Sequence, residues 1–197
     1  MNISNGAHKE GLNAFPTKDK PNKFEKRAEN NILKTFRREQ RQHIMTSRFN
    51  NKTWHENQQY RQKKQICVYC APIPVTQQVP SDTILFVLEM NNDTNQIMGI
   101  GLIKNHPLCN KHTVYDNGNY NRYVYTSRHH ISRDAMTEKE ETILKALDIL
   151  CFKGNRHMKR GQGLTAFPVD MLYRCRHIVD LVQFIKNMFA MREPKTN

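Results

Sequence analysis

A hairpin-like stretch from Thr83 to Lys104 constrains the fold of this chain more than any other segment. It begins with Thr83–Met90, an apolar run of strand length, and after a short break continues with a second such run, Ile97–Ile103. Runs of this length and composition favour strands. The residues between them, 91–95, are Asn, Asp and Thr, which are typical of turns. The stretch therefore predicts two strands and a turn that form the best-specified core element.

Two glycines, Gly99 and Gly101, stand at period two in the second of these strands and so share one face. Glycine inside a strand usually marks a bulge, a tight bend in a barrel, or the close approach of another group. The pair therefore either bends a barrel strand or lines a pocket.

Two further strands are expected around the hairpin. The segment 66–75 alternates loosely and contains Pro72 and Pro74, which confine it to the edge of a sheet. Asn121–Ile131 alternates Tyr and Val with polar residues and predicts a third core strand.

Helical patterns occupy the N-terminal third. Phe24–Met45 carries a narrow apolar stripe with cations on its other faces, which is typical of an amphipathic helix. Trp54–Lys64 predicts a second, shorter helix, with Thr53 as its N-cap and Glu56 completing a capping box.

Helical patterns also close the chain. Thr137 and Glu140 form a capping box at the head of a helix that is expected to end near Gly154. An apolar stripe over Val169–Arg192 predicts a last helix.

These elements together predict an α+β fold, with a small mixed or antiparallel barrel-like sheet and C-terminal helices. The predicted organisation is a flexible arm over 1–23, a basic helical extension over 24–65, an α+β domain over 66–193 and a tail over 194–197. Residues 1–65 carry a net charge of +9, and residues 66–197 carry +4. This asymmetry is typical of a basic arm on a folded module.

The overall charge points to a partner. The net charge is +13 and the isoelectric point is near 9.7, which favours a polyanion, most often nucleic acid. The five cysteines are odd in number and no export signal precedes them, so a reducing intracellular compartment is expected. No apolar run reaches the length of a membrane span, and no membrane association is predicted.

A basic glycine loop, Lys153–Gly163, is the most suggestive candidate site. Its glycines allow the backbone N–H groups to approach a ligand closely, and its cations suit phosphates. It has neither the residue order of a P-loop nor the preceding strand of a dinucleotide-binding fingerprint. The alternative is a solvated connector between two helices. The residues predicted to contact phosphate here are Lys153, Arg156, Lys159, Arg160 and Gly161.

Further cations are expected to add to nucleic-acid binding. On the N-terminal arm they are Arg37, Arg38, Arg41, Lys63 and Lys64. Around the third predicted strand, cations alternate with aromatic residues, a pattern that suits backbone contact and base stacking; the residues are Arg122, Arg128 and His129.

Two ligand pairs have the internal spacing of a structural zinc site. They are Cys67 with Cys70, and Cys109 with His112. The alternative is that these cysteines are inert, small hydrophobic residues.

No pattern predicts a catalytic residue. The chain lacks the GxSxG and HExxH motifs and any carboxylate pair at a diagnostic spacing. A nuclease that uses His129 or His130 as its general base is the enzymatic alternative. Adjacent residues on a strand point to opposite faces, which argues against a joint role.

One family resemblance rests on Pro80, Ser81, Asp82, the strand Ile84–Leu88, and Gly99-Ile100-Gly101. These residues resemble the small PUA-like β-barrels, especially the EVE and YTH branches. The resemblance implies a barrel whose pocket reads a base, often a modified one, in RNA or DNA. The YTH branch cages its base with tryptophans, and the predicted barrel here has none.

The Asn- and Lys-rich style of the chain also resembles uncharacterised proteins of large DNA viruses. That resemblance implies a virion, or the cytoplasm or nucleus of a host cell. The sequence predicts a non-enzymatic nucleic-acid-binding protein, with RNA slightly favoured over DNA. The alternatives are a viral structural or packaging protein whose arm binds neighbouring subunits, and an enzyme that processes nucleic acid.

Overall fold

A computed structural model describes residues 22–40, 42–108 and 112–192. These residues form an α+β fold, as the sequence predicts. In chain order the elements are α1 (Lys23–Glu39), β1 (His43–Phe49), α2 (Asn51–Lys64), β2 (Cys67–Ala71), β3 (Ile84–Asn91), β4 (Gln96–Lys104), β5 (Tyr123–Ser127), β6 (His129–Ser132), α3 (Glu138–Phe152), β7 (Thr165–Ala166), α4 (Val169–Cys175) and α5 (Leu181–Ala190).

The strands form two sheets. The larger sheet has five strands in the order β6-β4-β3-β1-β7, and β2 and β5 form a separate antiparallel pair. Within the larger sheet β1 and β3 run parallel, and the other neighbours are antiparallel. The described strands do not close into a barrel, because the larger sheet has two edge strands, β6 and β7. The predicted PUA-like relationship stays a prediction.

The five-stranded sheet separates two hydrophobic clusters. On one face, helices α3, α4 and α5 and residue Phe36 of α1 cover the sheet. On the other face the covering layer is the β2–β5 pair, with Trp54 and Tyr60 of α2 packed against it. The sheet is therefore buried on both faces, which explains the nearly continuous apolar sequence of β3.

The predicted hairpin is confirmed as the pair β3–β4. Phe86 and Leu88 belong to the cluster under the helices, while Leu85 and Val87 face the β2–β5 layer. The pairing register shifts between Leu88 and Met90, where β4 holds one residue more than β3. This bulge lies beside Gly99, as expected for a glycine inside a strand.

The N-terminal helix is shorter than its apolar stripe predicts. It ends at Glu39, and Ile44 and Met45 are buried in strand β1 instead. Strand β1 pairs with β3 on one side and β7 on the other, so tertiary pairing overrides the helical pattern there. Residues before Ile66 thus supply an inner strand of the main sheet.

Helix α2 is confirmed, but Thr53 is not its N-cap. Asn50 is the N-cap residue, and its side chain accepts a hydrogen bond from the backbone N–H of Thr53. Asn is at least as good as Thr at this position. Helix α2 therefore begins one turn earlier than predicted.

Two other predicted elements each divide in two. The predicted strand 121–131 is β5 and β6, which belong to different sheets. The predicted helix 169–192 is α4 and α5, separated where Asp180 caps α5 by accepting from the Gln183 N–H. Ile178, predicted as part of the buried stripe, is 90% exposed in that break.

No helix in the described part of the chain is both long enough and apolar enough to cross a membrane.

Candidate nucleic-acid interface

Helix α1 presents a continuous cationic face. A helical residue advances about 100° around the axis, which places six cations within an arc of about 120°. The three acidic residues of the helix, Glu25, Glu29 and Glu39, fall outside this arc. All six cations are exposed. We call these residues the α1 cationic face: Lys23, Lys26, Arg27, Lys34, Arg37 and Arg38.

The opposite side of α1 fixes how the helix sits on the body. Phe36 is buried, and its ring meets the Tyr173 ring edge-on at 5.3 Å. The Arg176 guanidinium lies 5.2 Å from the centre of the Phe36 ring, and Arg174 Nη2 pairs with Glu29 Oε1 at 3.3 Å. Helix α4 therefore holds the side of α1 that carries Glu29 and Phe36, and leaves the cationic face accessible.

The basic glycine loop runs from the end of α3 towards β7. Gly154, Gly161 and Gly163 all have positive φ angles, of 75°, 112° and 64°, which glycine adopts without strain. The side chain of Lys159 donates to Asn95 Oδ1 at 2.8 Å, and its backbone oxygen accepts from Asn92 Nδ2 at 3.0 Å. The loop is thus attached to the β3–β4 turn.

The four loop cations differ in their surroundings. Arg156 pairs with Asp170 at 2.6 Å and so has a carboxylate partner already. Lys159 is held by Asn95. Lys153 and Arg160 are exposed and pair with no described carboxylate. Of the predicted phosphate contacts in this loop, Lys153 and Arg160 are therefore the two cations without a described partner.

Next to this loop lies Arg48, a half-buried cation that sequence reasoning did not select. Its Nε donates to the Met158 backbone oxygen, and its Nη1 donates to Thr165 Oγ1 at 2.7 Å. No described carboxylate lies within ion-pair distance of it. Burial lowers the pKa of the Arg48 guanidinium, yet arginine keeps its proton in proteins. A positive charge without a counterion therefore lies under the loop.

The remaining predicted cations do not gather at one site. Lys63 and Lys64 are exposed in the last turn of α2. Arg122, Arg128 and His129 are exposed at or beside the ends of β5 and β6. Arg41 lies outside the described residues. The structure thus brings together the α1 cations, and separately Arg48 with the glycine loop.

Strand β2 does not bring together the two predicted zinc ligands that it carries, Cys67 and Cys70. Cys67 and Cys70 are three residues apart on one strand and so point to opposite faces. Burial raises the pKa of both thiols to about 12, which disfavours the thiolate that zinc requires. His112 Nδ1 is 2.6 Å from the Tyr60 hydroxyl oxygen. Cys109 lies outside the described residues, and the described ones hold no cluster of three metal-ligating side chains.

A buried charge cluster, also missed from sequence, connects the two layers of the β structure. The Glu89 side chain is fully buried on β3. Its Oε1 accepts from Arg61 Nη2 and from the Tyr69 hydroxyl, both at 2.5 Å. Its Oε2 lies 3.0 Å from His130 Nε2. We call Glu89, Arg61, Tyr69 and His130 the Glu89 cluster.

The Glu89 cluster is a structural arrangement. Burial favours the neutral acid, but the charges of Arg61 and His130 outweigh burial and lower the pKa of Glu89 to about 2. The carboxylate is therefore ionised at neutral pH, with Oε1 bonded by Arg61 and Tyr69 and Oε2 in contact with His130 Nε2. The cluster holds α2 and β2 onto the main sheet and offers no free oxygen to a substrate.

The two strand glycines make room for this cluster. A Cβ atom added to Gly101 would lie 1.9 Å from the Tyr69 hydroxyl oxygen, and one added to Gly99 would lie 2.8 Å from Glu89 Oε2. The two glycines thus leave room for the close approach of the Tyr69 and Glu89 side chains. His130 belongs to the cluster while its neighbour His129 is exposed, so the two histidines do point apart.

Sequence signals for the missed residues are slight. A lone Glu in the apolar run of β3 is the one visible sign of a buried charge, because an unpaired carboxylate does not persist in a core. Its partner Arg61 stands among the exposed cations of α2 and cannot be told from them by sequence. Arg48 follows a helical stripe and carries no strand signal of its own.

The chain matches no protein-family model, no curated protein and no solved structure in the comparisons made.

Proposed function

We propose that this protein binds nucleic acid without acting on it chemically, and that RNA is bound in preference to DNA. The α1 cationic face is the observation that carries the proposal. Helix α1 has 17 residues and is therefore about 25 Å long. Along that length six cations share one exposed side of the helix.

Such a face suits a phosphate backbone more than a single small anion. Each phosphate contact by Lys or Arg releases a condensed counterion, and this entropy gain drives binding that does not depend on sequence. A row of exposed cations satisfies several phosphates of one strand at once. The two Arg residues at the C-terminal end, Arg37 and Arg38, also offer forked donors for phosphate oxygens.

The absence of a catalytic role is part of the proposal. The Glu89 cluster holds a fully buried carboxylate, whose Oε1 accepts from Arg61 and Tyr69 and whose Oε2 lies 3.0 Å from His130 Nε2. A general base needs a free lone pair within reach of its substrate. In this proposal the Glu89 carboxylate therefore has a structural role and does not act as a general base.

A binding titration with charge-matched variants tests the proposal. The test variant is Lys34→Ala, Arg37→Ala, Arg38→Ala on α1. The control variant is Lys139→Ala, Lys145→Ala, Lys186→Ala on α3 and α5, which removes the same charge from exposed positions elsewhere. Both are titrated with single- and double-stranded RNA and DNA at several salt concentrations.

We expect the α1 variant to bind every nucleic acid more weakly. For single strands the slope of log K against log[salt] should fall by about 2, which is three contacts at about 0.7 each. The control variant should keep the slope of the unmodified protein. If the unmodified protein shows no salt-sensitive binding to any of the four, the proposal fails; equal losses in both variants would show that net charge alone, and not α1, is responsible.

A further inference from the structure

A cleft lies at the carboxyl end of β1, between α2, the β3–β4 turn and the basic glycine loop. Its volume is about 180 Å³. The lining includes Arg48, Asn92, Tyr115, Tyr120, Gly161 and Gly163. We propose that this cleft binds one nucleotide, with the phosphate on Arg48 and the glycine loop and the base against Tyr120.

The phosphate assignment follows from the charge and from the donors. Two nitrogens of the Arg48 guanidinium are used by Met158 and Thr165, and Nη2 has no hydrogen-bond partner among the described residues. Gly161 lies directly against this guanidinium, since an added Cβ would be 3.5 Å from Arg48 Cζ. A fixed guanidinium beside an exposed glycine backbone is an arrangement that binds phosphate oxygens.

The base assignment follows from the other wall of the cleft. Tyr120 is half-buried, and its ring meets the Tyr115 ring edge-on at 6.2 Å, so a stacking surface is held in place. Asn92 is oriented by its Nδ2, which donates to the Lys159 backbone oxygen at 3.0 Å. Its Oδ1 is buried without a partner, so the wall of the cleft contains an unpaired hydrogen-bond acceptor.

This inference rests on the proposed function, because it takes the nucleotide to be part of a bound strand. The two are separable, since the α1 cationic face lies at the opposite end of β1. Arg37 and Arg38 line a different cleft, shared with His43 at the start of that strand. A free nucleoside monophosphate has the same chemistry as one unit of a strand, and it avoids the contribution of α1.

The single tryptophan provides the readout. The Trp54 ring lies 5.2 Å from the Phe49 ring, and Phe49 lines the cleft. The unmodified full-length chain is titrated with adenosine, guanosine, cytidine and uridine 5′-monophosphates, and separately with inorganic phosphate and with the nucleosides. We expect a saturable fluorescence change at millimolar or lower monophosphate, with much weaker responses to phosphate or nucleoside alone.

Two variants locate the site. Arg48→Met should weaken monophosphate binding about tenfold or more, since a charge-assisted contact is lost. Arg176→Met removes a cation outside the cleft and keeps a side chain of similar length, so it should leave the affinity for monophosphate unchanged.

Tyr120→Ala should weaken monophosphate binding about tenfold through lost stacking, whereas Tyr123→Ala on β5 should not. Circular dichroism reports whether each variant is folded. If Arg48→Met is unfolded, the comparison of Tyr120→Ala with Tyr123→Ala still tests the site.

The outcomes separate the cleft from α1. The Lys34→Ala, Arg37→Ala, Arg38→Ala variant should bind monophosphates like the unmodified protein while it loses affinity for oligonucleotides. Absence of saturable monophosphate binding would overturn the cleft assignment, as would equal affinity for inorganic phosphate or an unchanged affinity in folded Arg48→Met. Absence of oligonucleotide binding alongside intact monophosphate binding would overturn the proposed function instead.

Discussion

At the scale of single residues, the fold depends on side chains that crowd around one buried carboxylate. Glu89 contacts polar side chains of α2, β2 and β6, and two glycines of β4 leave the space that these side chains occupy. A charge in such a place is tolerated only because it is fully paired. Changes to the carboxylate or to the glycines should therefore be more damaging than their size suggests.

Glu89→Gln should destabilise the protein by about 3–5 kcal/mol, because it leaves the buried Arg61 charge without a counterion. The free energy of unfolding is measured by urea denaturation at neutral pH. The control is Glu141→Gln, which removes a more exposed partner of Arg133 while Asp148 remains, and it should cost about 1 kcal/mol or less. Equal costs would mean that the Glu89 cluster is not buried as described.

The contribution of Glu89 should also depend on pH. Its pKa is about 2 in the folded protein and about 4.3 in an unfolded chain. Because the folded pKa is the lower one, the stabilisation is complete above the unfolded pKa and is lost as pH falls towards 2. The difference in unfolding free energy between the unmodified protein and Glu89→Gln should shrink between about pH 5 and pH 2. A constant difference across that range contradicts the assignment.

Gly101→Ala should destabilise the protein by about 1–3 kcal/mol, the usual cost of overpacking, because the new methyl group would overlap the Tyr69 hydroxyl. Thermal and urea unfolding measure it. Gly118→Ala is the matched control, since nothing lies within 4 Å of its added Cβ. Combining Gly101→Ala with Tyr69→Ala should cost less than the sum of the two single changes.

At the scale of elements, the sequence predicted a helix or a hairpin correctly where the capping or turn residues and the apolar pattern are both present in the same short segment. The capping box of α3 forms as predicted, with Thr137 and Glu140 each bonded to the other's backbone N–H. The β3–β4 hairpin has both its turn residues and its apolar runs. Strand β1 has no alternation of apolar and polar residues and no turn residues that mark it as a strand. Its partners β3 and β7 follow much later in the chain.

Thr137→Ala should cost about 1 kcal/mol of stability through loss of the α3 cap. The measurement is again urea unfolding, with hydrogen exchange of the first turn of α3 as a local readout. Thr142→Ala, in the middle of the same helix, is the control. Its hydroxyl donates only to the backbone oxygen of Glu138 in the same helix, so its removal should change the stability very little.

At the scale of the whole molecule, the sheet joins the N-terminal segment to the rest of the chain. A protein that begins at Ile66 lacks β1 and α2, and with them Arg61 of the Glu89 cluster. We expect it not to unfold cooperatively in circular dichroism melts. A protein that begins at Gln42 loses only the arm and α1, and should retain a cooperative melt with weaker binding to nucleic acid. A cooperative transition in the chain from Ile66 would show that β1 is dispensable.

The sequence by itself determined the α+β class, the central hairpin, the capped start of α3 and the cationic character, because each depends on residues close together in the chain. Only the tertiary structure decided the rest. It moved residues 43–45 from the predicted N-terminal helix into strand β1, and it placed Arg61 beside Glu89. It also set Arg48 under the glycine loop. These pairings join residues far apart in sequence, and the free energy that selects them comes from burial and charge pairing that no local pattern encodes.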